Sequence, residues 1–103
     1  MSYFSDTLAP NEKRVLTFDF TADLSGTEVL TGTPTVTINV VSGTDLSPSS
    51  IQDGAVSFDS TNKMVLFPMS AILINNDYNI TVVVNTTNTT KVLSLSGIIR
   101  IIG

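Results

Sequence analysis

The 103-residue sequence contains no cysteine and no histidine. Disulfide frameworks, zinc fingers, thiol redox chemistry and iron–sulfur ligation are therefore excluded, because each depends on these side chains. A serine nucleophile would lack the histidine base of the usual triad, which leaves only a serine–lysine arrangement. We therefore expect that the chain is not an enzyme and that it uses no cofactor.

Charged residues are also scarce, at 14% of the chain, and the formal net charge is −4. The five basic residues are scattered, so the chain lacks the clustered lysine and arginine that nucleic-acid binding needs. The same scarcity argues against attachment to an anionic membrane surface, and no apolar run is long enough to span a membrane. We expect neither nucleic acid nor a membrane as a partner.

What the sequence does contain is dominated by aliphatic residues and threonine. Hydrophobic residues make up 42% of the chain but aromatic residues only 7%, so the core must consist largely of Val, Ile and Leu, which suit pleated sheets. Apolar and polar residues alternate most clearly over residues 14–20, 35–41 and 78–84, which predicts half-buried strands. The predicted inward positions are Leu16, Phe18, Phe20, Val36, Ile38, Val40, Tyr78, Ile80, Val82 and Val84.

Further short strands are predicted at residues 28–30, 55–58, 63–67 and 91–102. Thr33-Pro34 is expected to separate the second strand from the third, and Pro68 is expected to end the 63–67 strand. The last two strands form a predicted hairpin around the polar loop 86–90. About seven short strands in this length predict an all-β immunoglobulin-like antiparallel sandwich, with a small, partly closed β-barrel as the alternative.

The predicted domain organisation is an N-terminal arm over residues 1–11 and a single β-sandwich over residues 12–103. Pro10 is expected to interrupt any strand that would join the two. The arm contains the apolar residues Tyr3, Phe4 and Leu8, which we expect to dock on this domain or on a neighbouring subunit.

The last predicted strand is apolar on both faces. Leu93, Leu95, Ile99 and Ile101 fall on one face, and Val92, Ile98 and Ile102 fall with Arg100 on the other. One interpretation is a bulge at Gly97 that returns Ile98 to the core, and the other is packing of this strand against another subunit. Val41 and Val83 also fall at outward positions. The candidate interface therefore comprises Tyr3, Phe4, Leu8, Val41, Val83, Val92, Ile98, Arg100 and Ile102.

Two alternatives concern the carboxylates. Asp23, Glu28 and Asp77 lie in or near predicted turns and could supply oxygen ligands to calcium, although their spacing is not that of an EF-hand. Asp19 and Asp23 could form a glycosidase pair, although a chain of this size has little room for a sugar cleft. Because loop carboxylates are more often simply solvated, we expect neither a metal site nor a catalytic site.

Six short motifs follow one another along the chain: Asn11-Glu12-Lys13, Phe18-Asp19-Phe20, Leu24-Ser25-Gly26-Thr27, Thr35-Val36-Thr37-Ile38, Tyr78-Asn79-Ile80-Thr81-Val82 and Val92-Leu93-Ser94-Leu95. Their order resembles a family of small immunoglobulin-like structural proteins of tailed bacteriophages, over about residues 11–102. One departure is the turn Asn75-Asn76-Asp77, where the family usually has a glycine-rich turn; Asn and Asp tolerate the left-handed conformations such a turn needs.

The resemblance implies a structural protein of the virion, assembled in the host cytoplasm. A capsid decoration or cement protein that binds the major capsid protein comes first, and a fibre–tail adaptor or another tail or head–tail structural protein is the alternative. A carbohydrate-binding or host-recognition module ranks third. The low charge content leaves strand edges poorly protected, so we expect partner subunits to cover them and the chain to form a homo-oligomer within the particle.

Overall fold

The computed structural model describes residues 2–9, 11–70 and 76–101, and the side chains from Thr7 onward within these ranges. Two 3-10 turns lie at Thr21–Asp23 and Pro48–Ile51, and no helix in the described ranges is long and apolar enough to cross a membrane. The strands are β1 (Ser2–Leu8), β2 (Lys13–Asp19), β3 (Leu30–Ser42), β4 (Ser57–Phe58), β5 (Met64–Ser70), β6 (Asn76–Thr86) and β7 (Val92–Ile101).

These strands form two sheets that pack face to face. The larger sheet has the order β1-β7-β6-β3 and the smaller one has the order β2-β5-β4. All neighbours are antiparallel except β1 and β7, which are parallel. β2, β5 and β4 correspond to strands B, E and D of an immunoglobulin domain, and β3, β6 and β7 to strands C, F and G. The predicted immunoglobulin-like sandwich is confirmed, and the sheets do not close into a barrel.

The core lies between the sheets and follows the predicted alternation. Leu16 and Phe18 of β2, and Phe20 directly after it, are at most 3% exposed, and the four predicted inward residues of β6 are at most 1% exposed. The rings of Phe18 and Phe67 meet edge to face across the smaller sheet, with centroids 6.4 Å apart. The inward residues of β3 are only half-buried, because β3 is the outermost strand of its sheet.

β3 is one strand where the sequence predicts two. The predicted break at Thr33-Pro34 is wrong, because the strand continues through these residues with a shift in its pairing to β6. Thr31 pairs with Asn85 and Thr35 pairs with Val83, so β3 has two more residues than β6 between these pairs. Gly32 has a φ of +75° in this irregularity, a conformation that glycine adopts without strain. The strand continues beyond Pro34 because an edge strand does not need every N–H group for pairing.

Pro68 lies inside β5 rather than after it. The N–H of Asp53 donates to the carbonyl oxygen of Pro68 at 3.0 Å, on the side of β5 that faces away from β2. The N–H and C=O groups of a strand residue point to the same edge, so the nitrogen of Pro68 also faces away from β2. β4 pairs with β5 only at Val65 and Leu66, so the N–H group that Pro68 lacks removes no hydrogen bond of the β4–β5 ladder.

The segment predicted as an arm contributes a strand of this domain. The backbone of β1 pairs with β7 from Ser2 through Leu8, and Leu8 is 1% exposed in the core. The predicted interruption at Pro10 lies outside the described residues.

The β6–β7 hairpin forms as predicted, and its ladder is regular. The pairs run without interruption from Asn76 with Ile101 to Asn85 with Val92. The interpretation that a bulge at Gly97 returns Ile98 to the core is therefore wrong. Asn76 and Asp77, predicted as part of a turn, are the first two residues of β6.

Candidate interaction surfaces

The outer face of the larger sheet gathers four of the predicted interface residues. Val83 of β6 is 37% exposed and Val92 of β7 is 60% exposed, and both lie on the face turned away from the core. Ile98 lies half-buried on the same face, and Arg100 follows it two residues later. We call this surface the larger outer face; it also carries Thr35, Thr37, Asn39, Asn79, Thr81, Asn85, Ser94 and Ser96.

One pair of polar side chains on the larger outer face bonds across the strands. The hydroxyl groups of Thr81 and Ser96 lie 2.8 Å apart in paired positions of β6 and β7. Asn79 lies between Asn39 and Ile98, and its Oδ1 atom is buried and accepts no hydrogen bond from the described groups. Short Thr, Ser and Asn side chains surround the exposed Val83 and Val92, which are therefore accessible to a partner.

Arg100 is held in an ion pair at one end of the larger outer face. Its Nε donates to Asp77 Oδ1 at 3.1 Å and its Nη2 donates to Asp77 Oδ2 at 3.2 Å, in the paired position of β6. The hydrogen bonds that Arg100 donates to Asp77, and then the charge of Asp77, raise the pKa of Arg100. Arg100 therefore meets a partner as half of a neutral pair, rather than as a free cation.

A second apolar surface lies on the outer face of the smaller sheet, and the sequence analysis did not identify it. Val15 of β2 is 56% exposed and pairs with Pro68 of β5. Leu66 and Met64 are half-buried at the following outward positions of β5. The sequence did contain a sign of this surface, because the residues of β5 from Met64 to Met69 are all apolar, and both faces of the strand are therefore apolar. We call these four residues the smaller outer face.

Leu46 is the most exposed large apolar side chain of the described residues, at 96%, and it was also not identified. It lies in the loop after β3, next to Asp45. The hydroxyl group of the buried Tyr78 donates to Asp45 Oδ2 at 2.7 Å, and the Asn76 side chain bonds to both the N–H and the carbonyl of Thr44. Burial, with the Asp45 carboxylate, raises the pKa of Tyr78. These bonds hold the loop that presents Leu46.

The remaining predicted interface residues are dispersed. Leu8 lies in the core of this domain, so it is not available to a partner. The backbones of Tyr3 and Phe4 pair with β7 within β1, and Ile102 lies outside the described residues. Val41 is 59% exposed because it is the extra residue of an irregularity in β3, between the Val40 and Ser42 pairs.

At the opposite end of the sandwich from Leu46, two loops are joined through Glu28. The carboxylate of Glu28 accepts hydrogen bonds from Lys91 Nζ at 2.7 Å, the Ser25 N–H at 2.9 Å and Asn88 Nδ2 at 3.0 Å. These bonds, the Lys91 bond first, lower the pKa of Glu28 from 4.5 to about 2. A shallow depression of about 320 Å³ lies beside them, lined by Thr31, Asn85, Thr86, Thr89, Lys91 and Val92.

The carboxylates considered for calcium are not brought together. Glu28 lies in the loop before β3 and is bonded to Lys91, whereas Asp77 lies at the far end of β6 and is bonded to Arg100. The described residues contain no cluster of three or more Asp, Glu, His or Cys side chains that could hold a metal ion.

Asp19, considered as half of a glycosidase pair, is exposed on β2. Hydrogen bonds from the side chain and then the backbone N–H of Thr21 lower its pKa. A general acid needs a raised pKa near neutral pH, so the environment of Asp19 does not suit that role.

Comparison of the chain with protein-family models, with curated proteins and with solved structures finds no match in any of the three.

Proposed function

We propose that this chain is a structural protein of a tailed-phage virion that acts by adhesion to neighbouring subunits. Decoration of the head shell, through the major capsid protein, is the role we place first, and a fibre–tail adaptor is the alternative. The motif resemblance over residues 11–102 is one support. The observation that carries the proposal is the larger outer face, where Val83 and Val92 lie exposed at neighbouring positions of β6 and β7 and Ile98 lies half-buried further along β7, among uncharged hydroxyl and amide side chains.

The proposed mechanism is multivalent non-covalent contact, with no chemical reaction. Each copy contributes a small apolar area with hydrogen-bonding hydroxyl and amide groups around it, as in the core and rim of a protein interface. A single contact of this kind is weak, but many copies repeated by the symmetry of a shell reinforce one another. The smaller outer face around Val15 offers a second contact to the same or another subunit.

A carbohydrate-recognition module has less support. Sugar binding uses exposed aromatic platforms, whereas Phe18, Phe20, Phe67 and Tyr78 are fully buried and Phe58 packs against the core. Among the described side chains, no aromatic ring is exposed for this use.

The decisive experiment is the copy number of the chain per purified particle, measured by quantitative mass spectrometry against the major shell protein. A ratio between one to one and one to a few supports shell decoration. A ratio of a few per cent supports the adaptor role. Absence of the chain from the particle would overturn the proposal.

Variants then identify the docking face. Val83→Thr with Val92→Thr keeps β-branched side chains while making both positions polar, and we expect weaker cosedimentation with shells that lack the chain. The comparison variant is Val15→Thr, which makes one Val→Thr change on the smaller outer face. A loss of binding in the comparison variant alone would assign docking to the smaller outer face instead.

A further inference from the structure

β3 presents a free strand edge that differs from the other edges of the sandwich. It lies at the end of the order β1-β7-β6-β3 and pairs only with β6. The Pro48–Ile51 turn lies near it, but in the described part of the chain no backbone hydrogen bond joins that turn to β3, and none occupies the free edge between Thr31 and Val41. The backbone groups on that edge are available to another strand.

The other strand edges are shortened or charged. β4 has only two residues, and β2 carries Lys13, Arg14 and Asp19. β1 covers the edge of β7 and itself contains Asp6. β3, by contrast, has 13 residues and no charged side chain. Charges are a common protection of strand edges against pairing, and β3 lacks them.

The central part of β3 is regular and self-complementary. The irregularities lie between Thr31 and Thr35 and between Val40 and Ser42, so residues 35–40 run as a regular strand. In an antiparallel pair of two such strands centred near Ile38, Val36 of one copy lies opposite Val40 of the other, and Ile38 lies opposite itself. The inward residues of both copies then face the same side of the joined sheet.

The inward residues of β3 expose apolar surface that pairing with a second copy would bury. Val36, Ile38 and Val40 pack against the core but remain half-buried, because no strand lies beyond β3. A second copy would place its own Val36, Ile38 and Val40 beside them and remove this apolar surface from water. Since β3 carries no charge, no like-charge repulsion within the strand opposes the contact.

We infer that two copies of this chain pair through their β3 edges, residues 35–40 to residues 35–40 about a two-fold axis, to form a continuous eight-stranded sheet. The inference goes beyond the proposed function, because the pairing does not depend on which particle the chain belongs to. The partner is a second copy rather than another protein, because the inward residues 36, 38 and 40 are Val, Ile and Val. This order is symmetric, so an antiparallel copy places Val opposite Val and Ile opposite Ile.

The test is sedimentation of the purified full chain over a concentration series, with Thr37→Lys as the disrupting variant. Thr37 is exposed on the outward side of β3, so the substitution leaves the core intact. In the paired dimer each lysine lies opposite Asn39 of the other copy and diagonal to the other lysine, at a distance that long side chains still reach. We expect a concentration-dependent dimer whose Kd rises about two- to fivefold in the variant. Thr17→Lys on β2 is the control, with the same change in net charge at another exposed strand position, and it should leave the Kd unchanged.

Hydrogen exchange gives a second readout. Amides within residues 35–40 that point away from β6 should exchange more slowly at high than at low concentration. A chain that stays monomeric at every concentration, or a dimer that Thr17→Lys weakens as much as Thr37→Lys, would overturn the inference. Incorporation of a monomeric chain into particles would leave the proposed function standing while this pairing fails.

Discussion

Asp59 shows how one carboxylate closes a turn. Its side chain accepts hydrogen bonds from the backbone N–H groups of Lys63 and Met64 at 2.9 and 3.0 Å, and from both the hydroxyl and the N–H of Thr61. These bonds, led by the Thr61 hydroxyl, lower the pKa of Asp59 from 3.8 to about 2. Asn62, with a φ of 55°, supplies the left-handed residue of the same turn.

The lowered pKa values of Asp59 and Glu28 predict acid sensitivity. In the folded chain both pKa values are about 2, against 3.8 and 4.5 as ordinary values, so the unfolded chain binds more protons between these limits. The stabilisation is therefore fully present above about pH 4.5 and is lost as the pH falls through about 2. Urea unfolding along this pH range should show a falling free energy of unfolding.

Glu28→Gln isolates one part of this effect. Glutamine retains an acceptor for the loop but does not titrate, so the decline of stability with falling pH should be shallower than in the unmodified chain. Thr27→Ala, a change at an exposed neutral neighbour, should keep the original slope. An unchanged slope in Glu28→Gln would refute the assigned role of its carboxylate.

At the scale of the element, β7 separates two adjacent isoleucines by face. Ile99 is fully buried in the core, whereas Ile98 lies half-buried on the larger outer face. The uninterrupted pairing with β6 enforces this separation, because each step along a regular strand reverses the side-chain direction. The two residues have the same chemistry and differ only in what they contact.

This separation predicts unequal effects of the same substitution. Ile99→Ala should lower the free energy of unfolding by about 2–5 kcal/mol, because it leaves a cavity in the core. Ile98→Ala should cost about 1 kcal/mol or less, since it removes an outward side chain with moderate strand propensity. Urea denaturation of the two variants measures the difference directly. Equal losses would mean that Ile98 contributes to the core and that the larger outer face is smaller than described.

At the scale of the whole molecule, β1 joins the beginning of the chain to its last strand. Its parallel pairing with β7 completes the larger sheet, and Leu8 adds a fully buried side chain to the core. Parallel neighbours need a long connection, and here almost the entire domain lies between them. The larger sheet is therefore complete only when β1 and β7 are both in place.

Leu8→Ala tests this closure. We expect a loss of about 2–5 kcal/mol in the free energy of unfolding, as for other large-to-small changes in a core. Val92→Ala is the control at a site 60% exposed, and it should change stability by less than about 1 kcal/mol. If Leu8→Ala were as mild as the control, residues 1–8 would behave as an accessory arm rather than as a strand of the sandwich.

Local alternation made much of this fold predictable. The inward faces of β2, β6 and β7 follow from the period of two in their residues, and the hairpin of β6 and β7 follows from the polar loop between them. The outward positions of Val83, Val92 and Ile98 follow from the same period. Such patterns depend on which residues are adjacent in the chain, so the sequence alone contains them.

The sequence by itself thus determined the all-β class, the inward faces and part of the larger outer face, because side-chain direction along a strand is a local property. Only the tertiary structure decided that Leu8 belongs to the core, that Pro68 lies within a strand, and that β3 is a free edge. Each of these three features depends on which distant segment of the chain lies alongside. Pro68, for example, lies outside the part of β5 that pairs with β4. The pairing of distant segments is set by the packing of the whole chain, and residue order does not display it.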